Sequence, residues 1–165
     1  MILICYDGSP DSRAAVELAA TLLGDEPATV LTVWEPFAEM AIRSSLGLGL
    51  VPFSADNDEI DKATEKTAEQ TAADGAALAG RLGMTVDHKA ARQVGTTART
   101  ILAAADNIGA TAVVMGSRGL TGVKSLLLGS VSHEVVQHSD RAVVVVPSPE
   151  VAASRARVAH EGGTS

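Results

Sequence analysis

The chain has 165 residues, a formal net charge of −7 and a pI near 5.0, a length that suits one domain whose core needs no disulfide or metal staple. With 46% hydrophobic and 20% charged residues it does not have the composition of a disordered chain. The acidic balance and only four aromatic residues, Tyr6, Trp34, Phe37 and Phe53, argue against a basic face for duplexes and a stacking platform for single strands, so no nucleic-acid partner is expected.

The first apolar run, Ile2–Tyr6, stops at Asp7-Gly8-Ser9-Pro10 and lacks a basic flank. It is too short for a signal peptide or a membrane span. Cys5 is the only cysteine, which excludes an intramolecular disulfide and a cysteine-based zinc site. A cytoplasmic protein without membrane attachment is the expectation. A helix from about Asp11 to Gly24 follows, with Ala14, Ala15, Leu18, Ala19 and Leu22 on its apolar face. Ser9 suits its cap and Pro10 its first position. The second run, Ala28–Trp34, ends at Glu35-Pro36.

Residues 35–58 break this rhythm with Pro36, Gly47, Gly49 and Pro52, and read as a long loop or lid. A polar helix over about Glu59–Leu82 comes next. It is followed by a mixed run at Met84–Ala90, whose polar positions suit a sheet edge. A helix from Gly95-Thr96-Thr97 to Asn107 leads to an apolar strand, Thr111–Met115. A glycine-rich loop over Gly116 to Gly129, a helix over Ser130 to Ser139 and a last strand, Ala142–Val146, complete the domain. Residues 148–165 have no core-forming pattern and read as a flexible tail.

Strands alternating with helices predict parallel pairing with right-handed crossovers, here a doubly wound five-stranded α/β sheet. An edge as apolar as Ala142–Val146 would invite aggregation, so a partner strand is expected to cover it; pairing with its own copy in a two-fold dimer does so most simply.

The segment Met115-Gly116-Ser117-Arg118-Gly119, followed after nine residues by Gly129-Ser130-Val131-Ser132, leaves a strand and enters a helix. Glycine backbone, the free N–H groups of a helix start, and the cations Arg118 and Lys124 converge there on phosphate chemistry. The alternative reading is that Ser130 only caps its helix and the glycines only turn the chain. Asp7, directly after the first strand, lies where open parallel sheets bind ligands, but it also suits an Asx turn into the first helix.

Gly116-x2-Gly119-x9-Gly129-Ser130 resembles the G-x2-G-x9-G-[ST] motif of the universal stress proteins in their nucleotide-binding subclass, and the resemblance runs from Ile2 to Pro147. It implies one domain over residues 1–147 with a Rossmann-like sheet of the adenine nucleotide alpha hydrolase-like kind, in the order 3-2-1-4-5. It also implies ATP (or ADP or AMP) at the strand ends and a homodimer through the last strand. Asp7 is carried over as the contact to the ribose or to a phosphate-bound Mg²⁺. Cys5 and Tyr6 are carried over as pocket lining through their backbone, and Val33 as the adenine contact. Met115, Gly116, Arg118, Gly119, Gly129, Ser130, Val131 and Ser132 are carried over as the phosphate loop.

No Walker A or G-x-S-x-G sequence is present, and the four histidines lack metal-ligand spacing. Ser130, His133 and Asp140 lie too close along one helix to converge as a catalytic triad. No catalytic residue is therefore expected. The implied function is an ATP-binding sensor or regulator of a stress response, read by a regulatory protein partner; a slow Mg²⁺-dependent ATP hydrolase is the alternative.

Overall fold

The computed structural model describes residues 1–44, 57–120 and 128–147. Five strands form one parallel sheet: β1 (Ile2–Cys5), β2 (Ala28–Trp34), β3 (Val86–Arg92), β4 (Ala112–Gly116) and β5 (Ala142–Val146). Their order is β3-β2-β1-β4-β5. The expected doubly wound α/β fold is therefore the observed one. The described helices are α1 (Pro10–Leu23), α2 (Phe37–Ser44), α3 (Asn57–Arg81), α4 (Thr97–Asn107) and α5 (Ser130–His138). Among the described residues no helix is long and apolar enough to cross a membrane.

The two-residue period of the strands divides the core. In β1 and just after it, Ile2, Ile4 and Tyr6 face α1 and α3, where they meet Ala15, Val16, Ala19, Ala76 and Ala79. Leu3 and Cys5 face the other side, with Ile101 and Ala105 of α4 and Val135 of α5. Ile2, Leu3 and Ile4 are fully buried, each stabilising the fold by about 1.5–3 kcal/mol. This burial on both faces explains the unbroken apolar runs of β1 and β4.

The helix termini follow local chemistry. Ser9 caps α1 by accepting from the Ser12 N–H at 3.1 Å, with Pro10 at the first helical position. Thr96 caps α4 through the Arg99 N–H. α3 ends in a Schellman turn: Gly83, at φ +93°, donates to the Gly80 carbonyl, and Met84 donates to that of Ala79.

Three expectations about elements need correction. Phe37–Ser44, placed in the long loop, is helical, and α3 begins at Asn57 rather than Glu59. The entry to α2 is fixed from afar, since the Phe37 N–H donates to the Asp61 carboxylate of α3 at 2.7 Å. The rest of the expected lid, residues 45–56, lies outside the described residues, as do Lys124 and the tail from 148. The third strand starts at Val86, not Met84, because Met84 is the buried end of the α3 turn. Its exposed Asp87, His88 and Lys89 do lie on an edge, as read.

Candidate functional site

The carboxyl ends of β1 and β4, and the start of α5, meet at the point where the sheet's connections diverge. The chain leaves β1 through Asp7 and Gly8 (φ +81°). Asp7 Oδ1 accepts from the Ser9 N–H at 3.0 Å, which is the expected Asx turn. Its Oδ2 reaches across to the loop after β4 and accepts from the Leu120 N–H at 3.1 Å. Each carboxylate oxygen keeps a lone pair for another donor or a cation.

Gly119 makes this crossing possible, because a Cβ there would lie 2.7 Å from Asp7 Oδ2. Gly116 has a different reason. It is buried, and its Cβ would lie 2.8 Å from the Asp11 backbone, so the missing side chain lets β4 end against the first turn of α1.

Ser117 ties the loop to α5. Its carbonyl accepts from the Gly129 N–H at 2.7 Å and from Ser132 Oγ at 2.8 Å, and its N–H donates to the Val146 carbonyl. Ser132 Oγ also bonds the Gly129 carbonyl, so this residue is a buried brace. The N-cap of α5 is Gly129, which supplies no side-chain hydrogen bond to the helix start, and Ser130 is exposed beyond it. The capping alternative for Ser130 is thus not what is found. The helix start is bare backbone at the positive end of the helix dipole.

Arg118 points elsewhere than the sequence suggested. Its Nε lies 3.5 Å from Asp11 Oδ2, with both side chains at most 10% exposed. Ser117 Oγ donates to the same oxygen at 3.1 Å. Asp11 is therefore a residue that the sequence reading missed; an acidic residue in the first turn of a helix after a strand was the available signal.

Cys5, Val33 and Val131 are partly buried on the α4–α5 side, beside the buried Met115. Together they form a small apolar surface. Burial, and then the negative charge of Asp7, push the Cys5 thiol up to about 12, so it is a neutral group and not a thiolate. Tyr6 lies on the other face; its backbone N–H donates to the Leu31 carbonyl and its carbonyl accepts from Thr32 Oγ1 at 2.7 Å. Trp34 is buried, with the Arg92 guanidinium 5.9 Å from its ring centroid.

Next to the apolar surface a cavity of about 380 Å³ opens between the turns after β2 and β3 and the start of α5. Ser130 and Val131 line it together with Glu35, Gln93, Thr97 and Glu134. None of these last four was singled out in the sequence. They come from the turns after β2 and β3 and from α4 and α5, which only the fold brings together. Among the described residues there is no group of three metal-ligating side chains.

This is the architecture of an open α/β sheet with a ligand crevice at its strand ends. The sequence profile of the universal stress protein family matches residues 1–147, and the chain belongs to that family. It is 32% identical over 146 residues to universal stress protein YxiE of Bacillus subtilis (strain 168), covering 88% of this chain and 97% of that protein. Among the solved structures that share the fold are two with a bound nucleotide. A universal stress protein in complex with cAMP has a TM-score of 0.61 and 20% identity, over 89% of this chain and 96% of that one. The universal stress protein from Archaeoglobus fulgidus in complex with dAMP has a TM-score of 0.54 and 18% identity, over 88% and 95%.

Proposed function

We propose that this chain binds an adenine nucleotide at the crevice between β1, β4 and α5 and acts as a nucleotide-dependent sensor in a stress response. The observation that carries this reading is the bare start of α5. Gly129 leaves the first N–H groups without a side-chain cap, and the exposed Ser130 stands beside them, an arrangement suited to phosphate oxygens. The apolar surface of Cys5, Val33 and Val131 suits a base, and the spare lone pairs of Asp7 suit a ribose hydroxyl or a phosphate-bound Mg²⁺. The cAMP and dAMP held by the two structural neighbours support an adenine base. ATP is the nucleotide of this reading, as the resemblance of Gly116-x2-Gly119-x9-Gly129-Ser130 to the nucleotide-binding subclass implies. The domain spans residues 1–147, and the functional unit is a homodimer joined along β5.

Both Asp7 oxygens already accept backbone N–H groups, and the Cys5 thiol is neutral. Neither is poised as a base or nucleophile, so the bound nucleotide is a signal rather than a substrate.

Ser130→Glu tests the site. A carboxylate at the first position of α5 favours the helix dipole by about 0.3–1 kcal/mol but repels phosphate. Calorimetry with ATP, ADP, AMP and cyclic AMP should show saturable binding to the parent chain and at least tenfold weaker binding to the variant, with thermal stability kept. Unchanged affinity in Ser130→Glu would overturn the assignment.

A further inference from the structure

We propose that the groove between α1 and α3 is a second ligand site, for a small phosphate monoester that carries hydroxyl groups. A cavity of about 270 Å³ opens there, lined by Tyr6, Arg13, Asp74, Ala77, Leu78 and Arg81. It lies on the α1–α3 face of the sheet, whereas the crevice at α5 and its apolar surface lie on the other. The volume is below the ~300–1,000 Å³ of sites for drug-sized ligands, which suits a small occupant.

Tyr6 points to a ligand. The residue is 5% exposed, and its ring is pressed against α3, where a Cβ on Gly75 would lie 2.7 Å from Cδ1. Its backbone N–H and carbonyl are both occupied, by Leu31 and Thr32. The phenol oxygen remains, and among the described residues it has no hydrogen-bond partner, nor is it among the fully enclosed unpartnered atoms. The ring is buried but the hydroxyl opens on the cavity, so its partner comes from outside the chain, as water or as a ligand atom.

The charges give an independent reason. Arg13 and Arg81 flank the cavity, and neither makes an ion pair among the described residues. Arg81 in the last turn of α3 suits the helix dipole, but Arg13 in the first turn of α1 opposes it. A cation at the unfavourable end of a helix is relieved by an anion opposite. Two guanidiniums, which only donate, and a phenol O–H, which can donate, make a set that matches phosphate oxygens.

Asp74 defines the rest of the ligand. One of its oxygens accepts from Gln70 Nε2 at 2.9 Å, and the other is an acceptor at the cavity. It repels a bare phosphate but accepts from a ligand hydroxyl. Ala77 and Leu78 offer a few carbons of apolar floor.

Glycerol 3-phosphate is the probe, with inorganic phosphate and glycerol as controls, followed by calorimetry and by amide shifts in the full chain. The expected result is saturable binding of glycerol 3-phosphate with shifts along α1 and α3. Arg81→Gln, an exposed and helix-compatible change, should weaken it about tenfold, as loss of one charge-assisted contact does. Tyr6→Phe should weaken it several-fold. Adenine nucleotide binding should be unchanged in Arg81→Gln. Absence of saturable binding, equal affinity in Arg81→Gln, or shifts confined to α5 would each overturn the site. Inorganic phosphate binding as tightly as the ester would overturn the role given to Asp74.

Discussion

Cys5, Asp7 and Asp11 fall within one stretch of seven residues, and the fold gives them three different tasks. Asp7 spans two loops through backbone N–H groups, Asp11 holds Arg118 and Ser117, and Cys5 is a buried neutral thiol. The thiol has a measurable consequence. Its folded pKa of about 12 lies above the reference value of 9.0. An unfolded chain therefore loses this proton at lower pH than the folded one. The stability tied to the protonated thiol is complete below about pH 9 and falls as pH rises toward 12. Denaturant titrations from pH 8 to 11 should show a steeper loss in the parent chain than in Cys5→Ala, and parallel curves would contradict this. The glycine motif was legible in the sequence because its spacing and strand-to-helix setting are local. The reasons for single glycines were not. Gly116 gives room to Asp11 and Gly119 gives room to Asp7, contacts between segments far apart in the chain.

At the scale of elements, boundaries were legible where one residue type decides them. Ser9 and Pro10 open α1, and glycines close α3 and α4. Gly83 is a clean case, since at φ +93° a side chain would meet nothing within 4 Å. Gly83→Ala should therefore cost about 1 kcal/mol from backbone conformation alone, read as a lower midpoint with an unchanged denaturant slope. A loss several times larger would mean that the turn carries packing as well. The α2 helix was missed because its start depends on Asp61, in the next helix along the chain. The start of β3 was misplaced because Met84 is as apolar as a strand residue, but completes the α3 turn. Apolar character alone does not separate these roles.

For the molecule as a whole, strand alternation and apolar runs were enough to predict the parallel sheet, and the family resemblance supplied its order. The cavity beside α5 was not legible, because its lining is drawn from turns and helices that no local pattern links. The homodimer proposed above can be tested on the backbone of β5. The Ser117 N–H donates to the Val146 carbonyl, so Val146 turns its peptide groups toward β4, and the alternation of a parallel ladder turns those of Val145 outward. Val145→Pro removes an outward N–H while proline keeps an extended backbone. Sedimentation should then report monomers with the secondary structure retained, whereas a persisting dimer would place the contact elsewhere.

The two borders of the sheet are unlike. β3 presents Asp87, His88 and Lys89 to solvent, and β5 presents valines. A neighbouring strand is discouraged at the first and welcomed at the second. Among the described strands, growth by strand addition thus has one usable direction, and in the proposed dimer each copy consumes that sticky border. The proposed pair would then halt as a closed unit and not lengthen into ribbons, so that an alanine- and valine-rich chain could carry a naked strand without seeding a fibre.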